Sequence, residues 1–264
     1  MRAGTGSCCE CATVDTVAMK TATPSRTSTR SWSGRLHIGK GFAVIDGRVG
    51  DNTPHRHFAI QLSIGLNGAI EVVSPGMAVV GTAVLIASGA THQIGPVGRS
   101  LRSLYVEPQS AFGAMLAATL DGRATMRANC DLDTLLREWQ PGDPLPGTGH
   151  APAGAATPRA ERLFALIEDG DGEAGPAQWA TALSLSPSRL RALSVEAFGM
   201  PPIRLRQWVQ LKAAARAMAH GSTLAQAAAE AGYADQSHFT RQLNRWFGVS
   251  PGRGLAGLVI MVDD

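Results

Sequence analysis

"TLAQAAAEAGYADQSHFTRQLNRWFGVSP", residues 223–251, sorts its side chains by helical spacing. Phe239, Leu243, Trp246 and Phe247 recur at i, i+4, i+7 and i+8 and form one apolar stripe. Gln236, Ser237, His238, Arg241 and Arg245 project elsewhere. Gly232 serves a turn and Asp235 can cap the helix that follows. A short helix, a tight turn and a second helix with a polar outer face make a helix-turn-helix pattern. The stripe is expected to be core. The polar face offers base-reading chemistry, because Arg pairs with guanine and Gln with adenine in bidentate fashion, while Ser, Thr and His bond bases or phosphates.

A second segment repeats the design upstream. In "PAQWATALSLSPSRLRALSVEAFG" (176–199), Ser186 can cap and Pro187 takes the first position of the second helix. Between Pro176 and Arg253 nine Lys or Arg face three acids, a local charge of +6 in a chain whose total is +3. Composition overall announces no polyanion partner, but this distribution suits nucleic acid. At 264 residues and 44% apolar content the chain can fill one large core or two ordinary ones. Its longest apolar run, "LVIMV" at 258–262, is too short to cross a bilayer, and the first thirty residues lack a signal-peptide core, so a cytoplasmic protein with no membrane partner is expected.

Over roughly residues 160–253 the sequence resembles the AraC/XylS family of transcription regulators. Ala228, Gly232, Tyr233, Ser237, Phe239, Arg241, Phe247, Gly248 and Pro251 carry the resemblance. It implies two helix-turn-helix units joined by a long helix, which "IRLRQWVQLKAAARAMAHG" (203–221) would supply with Leu205, Trp208, Leu211 and Ala215 on its buried side. The two recognition helices would enter successive major-groove segments of promoter DNA. By the resemblance the second would use Gln236, Ser237, His238 and Arg241, with Arg245 one turn further on, and the first Ser188, Arg189 and Arg191. The first unit departs from the family pattern: Ala192 stands where an Arg is usual and Ser194 where a core Phe is usual. Gln210 replaces a common Arg of the linking helix.

Upstream the character of the chain changes. From Leu36 to Val106, short β-leaning runs such as "FAVIDG", "FAIQLSIGLNG" and "AVLIASG" alternate with glycines, as in an antiparallel barrel or sandwich. Between Gln109 and Trp139 helical spacing takes over, predicting two helices suited to pairing protomers. "QPGDPLPGTGHAPAGAATP" then concentrates Pro, Gly and Ala and reads as a linker, with Thr157 and Pro158 opening the next helix. Cys8, Cys9 and Cys11 lie in a Ser/Thr-rich start without a second Cys/His pair at finger-like spacing, so residues 1–30 read as a disordered tail rather than a metal–thiolate site.

"GDNTPHRHFAIQLSIGLNG" (50–68) and "GTAVLIASGATH" (81–92) resemble the two cupin motifs. Histidines two apart on a strand, His55 and His57, project from one face, and His92 from a neighbouring strand could complete a facial set for a divalent metal. Such a set requires all three imidazoles to converge in one cavity, their nitrogens roughly 3 to 4 Å apart. Gln61 stands where metal cupins usually carry Glu, which weakens the ligand set. His55, His57, Gln61 and His92 are therefore candidates for a metal site or for the lining of an effector pocket. Arg35, His37, Arg102 and Tyr105 are candidates for neutralising an anionic effector.

The expected architecture is an α+β multidomain chain: a cupin-like sensor barrel over 31–108, helices over 109–139, a linker over 140–157, a double helix-turn-helix DNA-binding domain over 158–253 and a tail over 254–264. The expected function is a non-enzymatic, sequence-specific transcription regulator answering to a small-molecule or metal effector. Its expected partners are double-stranded DNA, the effector, RNA polymerase and a second copy of the chain. Two rival readings are a metal-dependent cupin enzyme carrying a DNA-binding domain and a constitutive DNA-binding protein with a vestigial barrel.

Overall fold

The computed structural model describes residues 31–145, 157–170 and 174–262. The cysteines at 8, 9 and 11, the tail expected over 1–30 and most of the expected linker lie outside the described residues. The remainder is β-rich first and helical second.

Two sheets make the N-terminal part. Strands β1 (Ser33–Gly39), β2 (Phe42–Arg48), β3 (Ile60–Gly65), β6 (Ala83–Ile86) and β8 (Ser100–Val106) form most of a seven-stranded sheet, and β4 (Ile70–Ser74), β5 (Met77–Gly81) and β7 (Gln93–Gly95) form a three-stranded one. Helix α1 (Ala111–Leu120) and helix α2 (Cys130–Glu138) follow, with strand β9 (Thr125–Arg127) between them. β9 corrects the expectation of an all-helical 109–139: it pairs antiparallel with β6 and covers that edge of the large sheet. Both helices spend their apolar faces inside their own chain. Phe112, Leu116, Leu120, Leu132 and Leu136 pack on Ile60, Leu62, Ile64 and Leu104 of the sheet in a closed core.

The helical part comprises α3 (Pro158–Glu168), α4 (Pro176–Ala182), α5 (Pro187–Phe198), α6 (Pro202–Ala219), α7 (Leu224–Glu230), α8 (Gln236–Phe247) and α9 (Pro251–Gly254). The boundaries follow capping chemistry. Thr157, Ser186 and Asp235 each accept a backbone N–H three residues on, and Gly199 and Gly248 end α5 and α8 in the left-handed conformation, which lacks a Cβ penalty only for glycine. Leu205, Trp208 and Leu211 of α6 are buried as the spacing predicts, with Ala214 taking the fully buried place expected for Ala215.

The segment 254–264, expected as a tail, holds the last strand. β10 (Leu258–Val262) pairs parallel with β1, Gly34 opposite Leu258 through Ile38 opposite Val262, and becomes the edge of the large sheet. Its apolar, β-branched composition suits a strand, but its partner lies more than 200 residues away. The sensor boundaries of 31–108 are therefore too narrow, since β9 and β10 both belong to the same sheet.

A second apolar core runs without a break from Trp32, Phe58 and Tyr105 of the β part to Leu205, Trp208, Phe239 and Trp246 of the helices. Among the described residues no helix is long and apolar enough to cross a membrane.

Candidate functional site

The helical part presents two similar polar faces. On α8, Phe239, Leu243 and Trp246 are buried, while Gln236, Ser237, Arg241 and Arg245 are exposed and His238 is half-buried beside Tyr233, ring centroids 5.3 Å apart. On α5, Leu190, Ser194 and Phe198 are buried while Ser188, Arg189 and Arg191 are exposed. Among the described residues none forms an ion pair with Arg189, Arg191, Arg241 or Arg245. The Ser194 hydroxyl, standing where the family pattern has Phe, donates to the Met200 carbonyl at 2.7 Å and so is satisfied in the core. Gln210 donates to the Gly232 carbonyl at 2.9 Å, tying α6 to the turn between α7 and α8.

The histidines converge, but His55 and His57 lie in the segment before β3 rather than on a strand. His55 and His92 exchange both backbone hydrogen bonds, an isolated antiparallel bridge that brings their rings to 4.4 Å; His57 lies 5.0 Å from His92 and 5.9 Å from His55. One ligand nitrogen from each lies within 4.8 Å of the others, a looser set than the expected 3 to 4 Å. All three are buried.

Their tautomers follow from their partners. Nδ1 of His55, His57 and His92 lies 2.8, 2.9 and 3.0 Å from the carbonyls of Thr53, Ala59 and Ala90. A carbonyl only accepts, so each Nδ1 carries the proton, and a neutral ring then turns a lone pair inward at Nε2. The rings are held neutral: burial, with His92 adding repulsion, lowers His55 to about 3, burial followed by His92 and His55 takes His57 well below its usual range, and burial lowers His92. Gln61 Oε1 sits 3.0 Å from His57 Nε2 and 3.1 Å from His92 Nε2, while its amide nitrogen donates to Ser63, which contacts Ser103 at 2.7 Å. In this orientation three acceptors face one another. A cation among them would relieve that conflict; turning the amide over would relieve it for His57 and His92 but leave the His55 lone pair.

Beside this cluster an apolar cavity of about 130 Å³ lies between the β part and the helices. His55, Gln61 and Tyr105 line it from one side, and Trp208, Phe239 and Phe247 from the other. Glu107 at its rim accepts from Trp208 Nε1 at 2.9 Å and from Lys212 at 2.7 Å. Of the residues considered for an anion, Tyr105 lines the cavity, but Arg35 is exposed, His37 is buried against Trp139, and Arg102 is consumed by Asp46 and three carbonyls at the end of α2.

Glu107, Trp208, Lys212 and Phe247 are the site residues that sequence reasoning missed or misassigned. Phe247 read as part of the α8 stripe, yet its ring is half-buried and packs on His57 at 5.6 Å and Tyr105 at 5.9 Å in the β part. No local signal predicts these contacts, because each joins residues more than a hundred positions apart.

A helix-turn-helix domain family matches residues 179–255. No curated protein matches the chain significantly. Among solved structures, an apo variant of ToxT from Vibrio cholerae strain SCE256 is similar over 81% of this chain and 96% of its own, with TM-score 0.56 and 12% identity. ToxT from Vibrio cholerae O395 bound to (E)-4-(8-methylnaphthalen-1-yl)but-3-enoic acid is similar over 80% and 97%, with TM-score 0.52 and 10% identity. At such identities the likeness is one of fold, a β-rich domain followed by a helical one. Residues 179–255 thus hold a helix-turn-helix domain of the AraC type, carried behind a β-rich N-terminal part.

Proposed function

We propose that this chain is a transcription regulator in which α4–α5 and α7–α8 act as two helix-turn-helix units on promoter DNA, and in which a small molecule in the cavity between the cupin-like β part and the helices sets how those units are held. The observation that carries this reading is the continuous core: Trp208 and Phe239 of the DNA-binding helices share the cavity wall with His55 and Tyr105 of the β part. A ligand filling that space touches both parts at once, so its binding energy can favour one relative disposition over another. The lining and the volume suit a compact, largely apolar molecule of about one aromatic ring. The ToxT structure with a naphthyl-butenoic acid supports the choice of class.

A second reading concerns the histidines. Three inward Nε2 lone pairs, each fixed by an Nδ1 bond to a backbone carbonyl, have the outer-shell arrangement of metal-ligating imidazoles, and Gln61 Oε1 adds a fourth, neutral donor. His55, His57, His92 and Gln61 fit a divalent transition metal of imidazole preference, such as Zn²⁺, Ni²⁺ or Cu²⁺. Gln61 supplies a neutral amide where metal cupins usually carry Glu, so the set lacks the carboxylate that usually completes a cupin enzyme's metal site. A regulator that responds to its effector is thus favoured over both the cupin enzyme and the vestigial barrel. Contact with RNA polymerase and pairing of two copies belong to the same proposal.

The test begins with duplexes selected by the full chain from a random library. Affinity for the selected duplex should fall in Arg241→Ala and Arg191→Ala and should change when small aromatic acids are added. Recovery of no preferred duplex would refute the regulator reading. An affinity indifferent to every ligand that raises the melting temperature would refute the sensor reading.

A further inference from the structure

We infer that the C-terminal end of the second recognition helix forms one wall of the three-histidine site, so that metal occupancy and the seating of α8 on the β part are linked. This rests on the metal reading above and adds what that reading lacks, a route from the ion to the DNA-binding surface.

The route is short. Gly248, the cap of α8, accepts from the Thr53 backbone N–H at 3.0 Å and from the Thr53 hydroxyl at 3.3 Å. The carbonyl of that same Thr53 accepts the Nδ1 proton of His55 at 2.8 Å. One residue therefore grips the helix end with its N–H and hydroxyl and fixes a ligand imidazole with its carbonyl. Next to it, Phe247 lies against His57 and Tyr105. An ion drawing His55 and His57 together would hold Thr53 and Phe247 in their present places. Without it the Nδ1 bond to Thr53 is the one hydrogen bond on the His55 ring among the described residues. Two ligands that favour the same seated arrangement raise each other's affinity by one common factor.

The closeness of the contact supplies its own probe. A Cβ on Gly248 would stand 2.2 Å from the Thr53 carbonyl oxygen and 3.0 Å from His55 Nδ1, so Gly248→Ala must lift the helix end. Gly199 ends α5 with nearly the same backbone, φ +69° against +67°, but nothing lies within 4 Å of its Cβ position. Gly199→Ala thus reproduces the left-handed strain without the wedge.

The experiment uses the full chain with Zn²⁺ alone, titrated calorimetrically against a competing chelator. Wild type should bind one ion and His92→Ala none; Gly248→Ala should bind at least about tenfold more weakly, Phe247→Leu should weaken in the same direction, and Gly199→Ala should match wild type within about twofold. Hydrogen exchange on the unmodified chain reads the same linkage without any variant that could misfold: Zn²⁺ should slow the amides of residues 244–249 by about tenfold or more. Zn²⁺ binding that is equal in wild type, Gly248→Ala and Phe247→Leu, with exchange unchanged, would overturn the linkage and leave the metal reading standing. No Zn²⁺ binding by wild type would overturn the metal reading and the linkage with it.

Discussion

Replacing Glu107 with Gln removes one charge at the junction of the two parts and almost no volume. Glu107 is 7% exposed. Its Oε1 receives Trp208 Nε1 at 2.9 Å and Lys212 Nζ at 2.7 Å, and its Oε2 receives Gln109 at 3.0 Å. A Gln at this position keeps an oxygen for Trp208 but leaves Lys212, whose side chain is 14% exposed, with Glu168 at 3.4 Å as its remaining anion. Breaking a buried pair costs about 3 to 5 kcal/mol when the survivor is stranded. Here Lys212 is not wholly stranded, so Glu107→Gln should cost about 2 to 3 kcal/mol. Glu107→Ala also leaves the Trp208 N–H without an acceptor, worth a further ~1 to 3 kcal/mol. Urea denaturation of the full chain measures both, and a double-mutant cycle with Lys212→Met isolates the pair, for which a coupling of about 2 kcal/mol is expected. A Glu107→Gln protein within about 0.5 kcal/mol of wild type, with no coupling to Lys212→Met, would refute the reasoning and leave the pair energetically idle, as exposed pairs often are.

Three further outcomes are expected. Arg241→Ala should lose about 1 to 3 kcal/mol of affinity for a selected duplex at fixed salt with its melting temperature unchanged, whereas Phe239→Ala, emptying a fully buried position, should destabilise by roughly 3 to 5 kcal/mol. The buried histidines make stability fall with acid: the unfolded chain takes up protons near the usual 6.5 while folded His55 resists down to about 3, so stability should hold above pH 6.5 and decline between the two values, as pH-dependent denaturation would read. Ending the chain after Gly257 removes β10 and exposes the Gly34–Ile38 edge of β1, and amide exchange there should rise by at least about tenfold.

What could be read from the sequence was what local chemistry decides. The caps at Thr157, Ser186 and Asp235, the apolar stripe of α8 and the alternation of the β-leaning runs depend on neighbours a few residues apart, and they fold accordingly. The meeting of His55, His57 and His92 was legible because two of them share a strand-like spacing and the third lies in a recognisable second motif. β9 was hidden by its three-residue length inside helical spacing. β10 was hidden because a five-residue apolar run at a chain end carries no sign of its partner. The Glu107–Lys212 pair and the seat of Phe247 on His57 could not be read for a third reason. A charged residue near a strand end, or an aromatic on a helical stripe, looks the same whether it serves its own domain or crosses to another.

These crossing contacts meet on α6, and their placement there bears on how a signal would travel. Trp208 and Lys212, four residues apart, share one face of the helix and both reach Glu107 in the β part. Gln210, between them in sequence and so on the opposite face, holds the Gly232 carbonyl in the turn that precedes α8. Lys212 also reaches Glu168 and lies 5.4 Å over the Phe164 ring, which brings α3 to the same point. A rigid helix that touches the cavity wall through one face and the turn between α7 and α8 through the other transmits displacement without needing a chain of intermediate residues. Helix α8 is therefore fixed at both ends by the β part, at its start through α6 and Gly232 and at its finish through Gly248 and Thr53. Among the described residues, α4 and α5 have no comparable pair of ties. A change in the cavity or at the histidines would then act on the angle of α8 relative to α5, the quantity on which the proposed entry of both helices into successive stretches of the major groove depends.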